Sequence, residues 1–230
     1  ENAADNGKGI TKEITEEFFN IGVDVITSGN HIWDKAEATQ FISKEERLLR
    51  PANMVEGSPG NGYGIYPVKN KNLKVAVINL MGNVFMKKTE DVFKTAEKLK
   101  SKIKLNEIAN FIIVDFHGEI TSEKMAMGHF FDGQATAVVG THTHVPTADS
   151  RILDNGTAYQ TDLGMCGDYN SVIGMNKENS IMKFLKNKKA QQHFPALGQA
   201  TISGLIVEAD ENTGLSNKVE RFLYGGALGI

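Results

Sequence analysis

Ala135-Thr136-Ala137-Val138-Val139-Gly140-Thr141-His142-Thr143-His144-Val145 is an apolar run that breaks into two histidines one residue apart. Ala135 to Val139 reads as a buried strand, and Gly140 marks its passage into a loop. In extended chain alternate side chains point the same way. His142 and His144 can therefore face one cavity while Thr141 and Thr143 face the surrounding backbone and solvent. Two imidazoles on one cavity are a metal-binding arrangement. Taken alone, the same pair is equally compatible with two surface histidines in a strand-ending loop.

Two further apolar runs end in the same way. Val23-Asp24-Val25-Ile26-Thr27 leads into Ser28-Gly29-Asn30-His31, and Phe111-Ile112-Ile113-Val114-Asp115-Phe116 leads into His117-Gly118-Glu119. In sheets served by crossover helices, ligands collect at the carboxyl ends of the strands. Three strand ends carrying imidazole, one beside the Asn30 carboxamide, form a converging set.

The remaining chain supplies the frame. Thr11 caps a helix through Asn20 with Gly22 beyond its end, and Asp34 to Ser43 reads as a short second helix. Tyr63 to Val68 and Leu73 to Leu80 form a hairpin, and Thr89 to Leu105 a lysine-rich outer helix. A helix opens at Thr121-Ser122-Glu123-Lys124, with Met125, Ala126 and Met127 core-like. Thr157 to Thr161 is a strand, Lys177 to Lys189 a basic helix, and Ala200 to Glu208 with Val219 to Leu223 are closing strands. Strands alternating with helices predict an α/β layered domain. Trp33 is expected to pack its loop, Arg50 to lie at the surface of an irregular loop or to meet a phosphate, His129 to be structural, and Cys166 to be a spectator.

With 230 residues, 40% of them hydrophobic, and a formal net charge of −3, the chain is expected to be one domain spanning residues 1–230. Nothing in that balance points to a nucleic-acid polymer or a membrane. A single cysteine and the lack of a membrane-length apolar run predict a cytoplasmic protein. The first residue is Glu1 rather than Met, which predicts an upstream portion outside this chain.

A dinuclear hydrolytic site needs a bridging carboxylate, nitrogen and oxygen donors on each ion, and water held between them. His117, His142 and His144 offer imidazole, Asn30 a carbonyl oxygen, and Glu1 with Asn2 a carboxylate and a carboxamide oxygen. His31 is left over. It is placed to act as general acid or to make a supporting hydrogen bond.

The ordered set Gly29-Asn30-His31, His117 and Gly140-Thr141-His142-Thr143-His144 is similar to the last three motifs of calcineurin-like metallophosphoesterases. More narrowly, the chain resembles the YmdB-type family of bacterial metallophosphoesterases. The resemblance is carried by Glu1-Asn2-Ala3-Ala4, Gly7-Lys8-Gly9-Ile10-Thr11, Trp33-Asp34, Leu49-Arg50-Pro51-Ala52-Asn53, Asp115-Phe116-His117, Thr121-Ser122-Glu123-Lys124 and Thr161-Asp162-Leu163-Gly164-Met165 together with those motifs. It runs over nearly the whole chain.

The resemblance implies a four-layer α-β-β-α sandwich with two divalent or mixed-valence metal ions, iron or manganese. It implies hydrolysis of cyclic nucleotides such as 2′,3′-cAMP by attack of a metal-bridging hydroxide. Carried over, Glu1 would bridge, Asn2 and His144 would belong to one ion, and Asn30, His117 and His142 to the other. His31 would be the proton donor. The family begins with a strand ending in Gly-Asp, whose aspartate binds the first ion. That strand and its helix, roughly 30 or more residues, would precede Glu1, so the domain is expected to be N-terminally incomplete here. An edge strand left by such a portion could pair with another chain, so oligomeric state stays open and a homo-oligomer formed that way would be a property of the shortened chain rather than of the whole protein. The alternative is a regulatory protein that binds metal and nucleotide without turnover; a mononuclear metallohydrolase of another fold is a third reading.

Overall fold

The computed structural model describes residues 2–229. Its centre is a six-stranded sheet built on the apolar runs. β1 (Tyr63–Pro67), β2 (Lys74–Met81), β3 (Phe111–His117), β4 (Ala137–Thr141), β5 (Arg151–Ile152) and β6 (Ala158–Gln160) lie in the order β1-β2-β3-β4-β6-β5. β2, β3, β4 and β6 are parallel, and β1 and β5 add antiparallel edges. Parallel strands buried on both faces read as nearly continuous apolar sequence, as β2, β3 and β4 do.

Pleating sorts the strand residues between two environments. Ala76, Ile78, Leu80, Ile112, Val114, Phe116 and Val138 form one cluster with Val92, Ala96 and Leu99 of helix α3 (Val92–Lys102) and Met127 of helix α4 (Thr121–Phe130). The intervening residues point the other way. Because Asn79 registers with Asp115, and Met81 with His117 and then Thr141, the carboxyl end of that second face collects Asn79, Asp115, His117 and Thr141. The strands β7 (Ile202–Ala209) and β8 (Ser216–Tyr224) form a separate antiparallel sheet. A smaller core of Ile10, Ile32, Ile42 and Leu48 receives Ile14 and Phe18 from helix α1 (Lys12–Asn20), and Phe41 from the short helix α2 (Ala38–Phe41). Thr11 caps α1 through its hydroxyl and the Ile14 amide.

Several expectations are revised. Val23 to Thr27 is extended but not a strand: Ile26 makes one bridge to Leu48, through the Ile26 amide to Arg47 and the Leu49 amide to Ile26. Asp34 to Ser43 yields only α2 and a 3-10 turn, Ile42–Lys44, because His31 to Lys35 is spent on turns. Met125 is 40% exposed, so of the three residues expected to be core-like only Met127 is buried. The basic helix is α5 (Lys177–Phe184), shorter than the lysine run. Arg50 donates to the carbonyls of Pro51, Ser58 and Pro59, which makes it a loop clamp. Trp33 packs on the smaller core. Cys166 and His129 are exposed. Among the described residues no helix is long and apolar enough to cross a membrane.

Candidate metal centre

His117 is the last residue of β3, and parallel register sets it opposite Thr141, the last residue of β4. The Thr141 hydroxyl donates to Asp115 Oδ1 at 2.8 Å. Its single proton is thereby committed, so at 3.1 Å it accepts from His117 Nδ1. That hydrogen bond fixes the tautomer and leaves the lone pair on His117 Nε2. Nε2 lies 2.8 Å from Asn30 Oδ1 and 3.1 Å from His142 Nδ1.

The same accounting applies to His142. Its Nε2 is 3.0 Å from Glu119 Oε2. An ionised carboxylate only accepts, so Nε2 carries the proton and Nδ1 is bare. His117 Nε2, His142 Nδ1 and Asn30 Oδ1 thus converge on one point. Such a cluster of nitrogen and oxygen donors suits a cation, and outer carboxylates that fix ring tautomers are the usual companions of ligating histidines. Burial, helped by neighbouring His142, holds protonation of His117 well below the usual histidine range. Burial also lowers that of His142 against the opposing pull of Glu119. Both rings are therefore neutral near pH 7, the form that ligates.

His144 donates from Nδ1 to the Ile173 carbonyl at 2.8 Å. Its Nε2 then accepts from Asn2 Nδ2 at 3.2 Å. The structure brings Asn30 together with His117 and His142, and Asn2 together with His144. Glu1, the expected bridge, lies outside the described residues. Among the described residues no three His, Cys, Asp or Glu side chains gather closely enough to hold an ion by themselves; the set is imidazole with carboxamide. N/O donors of this kind suit iron, manganese and zinc alike.

His31 adjoins this cluster through Asn30. Its Nδ1 is 2.7 Å from Asp34 Oδ2, so that carboxylate orients the ring. Lys87 donates to the Asn30 carbonyl at 2.5 Å and lies 3.6 Å from Asp34 Oδ1. Partial burial opposes ionisation of Asp34. The hydrogen bond and charge of His31, with the charge of Lys87, outweigh it and hold the carboxyl below its ordinary value. Neither Asp34 nor Lys87 was singled out for the site by sequence reasoning. Asp34 lies three residues from His31, a spacing that was legible.

Backbone conformation completes the centre. His142 and His144 have φ of +105° and +67°, in a region that side-chain-bearing residues enter at a cost of about 1–3 kcal/mol each. Strain of this kind concentrates where geometry serves a ligand. Gly29 presses so closely on the His117 ring that a Cβ would overlap it. Gly29→Ala is accordingly expected to push His117 off its position and to weaken metal binding by at least about tenfold, read by titration calorimetry with Mn²⁺. Equal affinity in the variant would show that the close approach is incidental. A cavity of about 450 Å³ opens beside the cluster, lined by His117, His142, His144, Met165, Cys166 and Ile173 among others.

Residues 1–222 match the family model described as YmdB-like protein. The chain is 46% identical over 223 residues to the 2′,3′-cyclic-nucleotide 2′-phosphodiesterase of Bacillus subtilis (strain 168), covering 97% of this chain and 82% of that protein. A hypothetical protein from Thermus thermophilus has a similar structure, with a TM-score of 0.86 and 34% identity, over 98% of this chain and 86% of that one. A crystal structure titled as a novel phosphatase from Mycoplasma pneumoniae gives a TM-score of 0.85 at 37% identity, over 96% of this chain and 78% of that one.

Proposed function

Because the chain belongs to the YmdB-like family, we propose that it is a metal-dependent phosphodiesterase that opens 2′,3′-cyclic nucleotides, with His31 as proton donor. The broader class is settled by kinship: it is a hydrolase of the metallophosphoesterase type, with the α/β fold of that group. The finer reading is carried by one observation, the convergence of Asn30 Oδ1, His117 Nε2 and His142 Nδ1 beside a histidine whose Nδ1 is held by Asp34.

Asn30, His117 and His142 would hold one ion, Asn2 and His144 the other, with Glu1 as bridging carboxylate. Divalent ions bound there supply positive charge against the phosphodiester and lower the pKa of water. Everything else falls to the chain. Thr141 and Glu119 orient the two imidazoles from behind. Asp34 holds His31 so that Nε2 delivers a proton to the departing ribose O2′. Water oxygen bonds to phosphorus, the P–O2′ bond breaks, O2′ takes the proton, and a nucleoside 3′-phosphate leaves. Iron or manganese is the proposed metal, and the cytoplasm the proposed location.

The test is hydrolysis of 2′,3′-cAMP with metal content measured on the same sample. Turnover accompanied by two ions per chain is expected. Two ions with saturable nucleotide binding and no turnover would replace this reading with the non-catalytic, regulatory one.

A further inference from the structure

Asp162 is wholly buried, and its carboxylate is engaged from three directions. Oδ2 accepts from Lys124 Nζ at 2.7 Å and from the Thr143 amide at 3.0 Å, while Oδ1 accepts from the Gly164 amide at 2.8 Å. Lys124 and Asp162 side chains are each 1% exposed. Lys124 projects from the buried stripe of α4 that also carries Met127. Removing both charges from water is costly, and apolar residues of similar volume commonly stabilise a fold as well or better. Stability alone therefore does not account for this pair.

Its attachment point does. Thr143 is the residue between His142 and His144, both of which have left-handed backbone. Its amide is turned inward onto Asp162, while the rings on either side reach different partners: His142 meets His117, and His144 meets Asn2. The segment carrying Asp162 is drawn close beneath the loop. Gly140 lies so near the Thr161 carbonyl that a Cβ would overlap it, and the Leu163 amide donates to Gly140 at 2.9 Å.

We propose that the buried Lys124–Asp162 pair is a positioning device for both ion sites, pinning the Thr143 amide so that one short loop presents its two histidines to two separate ligand groups. Lys124 fixes the direction of the carboxylate from α4, and the carboxylate fixes Thr143. The inference rests on the metal-dependent reading for its ions, and on hydrogen bonds within this chain for its geometry.

The experiment measures Mn²⁺ affinity by calorimetry and amide exchange at Thr143 by NMR, in the unaltered chain, in Lys124→Arg and in the double variant Lys124→Met with Asp162→Leu. The double variant leaves no lone buried charge, which protects its folding. The unaltered chain is expected to show a slowly exchanging Thr143 amide. The folded double variant is expected to exchange it at least tenfold faster and to bind Mn²⁺ about 10–100-fold more weakly, with Lys124→Arg recovering part of the affinity. Mn²⁺ binding within twofold of the unaltered chain in the folded double variant would overturn the proposal. So would an unprotected Thr143 amide in the unaltered chain, a measurement that decides the matter even if no variant folds. An unaltered chain with a protected Thr143 that binds no Mn²⁺ would sink the metal-dependent reading and leave the pinning intact.

Discussion

His31→Ala is expected to leave metal content unchanged and to lower kcat on 2′,3′-cAMP by about 10²–10⁴-fold, the usual worth of a positioned general acid. The ribose alkoxide is a poor leaving group and depends on that proton. A 4-nitrophenolate does not, so the same variant should lose far less on bis(4-nitrophenyl) phosphate. The contrast between the two substrates isolates proton donation from every other role of the ring. Asp34→Asn keeps an oxygen for Nδ1 but removes the charge that holds it, and should fall between. An equal loss on both substrates together with loss of metal would make His31 a ligand rather than a proton donor.

His117→Ala should abolish detectable turnover and weaken metal binding by more than the roughly 100-fold that loss of an outer partner of a ligand can cost. His117 Nε2 is the atom that both Asn30 and His142 approach, and its ring packs edge-on to His142 with centroids 4.8 Å apart. Thermal unfolding offers a readout independent of turnover. Mn²⁺ should raise the Tm of the unaltered protein, because an ion that binds only the folded chain stabilises it; in His117→Ala that rise should vanish. A variant that is still stabilised by Mn²⁺ to the same extent would remove His117 from the ligand set.

Much of this protein was legible locally. The apolar runs ending at His117 and at Gly140-Thr141-His142 gave β3 and β4 and put their histidines at carboxyl ends, since strand period and strand termination are properties of a few consecutive residues. The order of motifs identified the family. The Val23 run misled because its apolar spacing resembles a strand, whereas becoming one requires a partner over several residues and, among the described residues, Ile26 bridges Leu48 alone. Lys124 also carried a signal that went unread: a lysine three residues before Met127 lies on the buried stripe of its helix.

Other features were decided only by tertiary structure. How the rings of His117, His142 and His144 are held depends on Thr141, Glu119 and Ile173. What holds the His-x-His loop depends on Asp162, 38 residues from Lys124 along the chain. Sequence period reports which way a side chain points along its own element. Proton placement and loop restraint depend instead on atoms brought within about 3 Å by sheet register and helix packing, and no local pattern of residues encodes that approach.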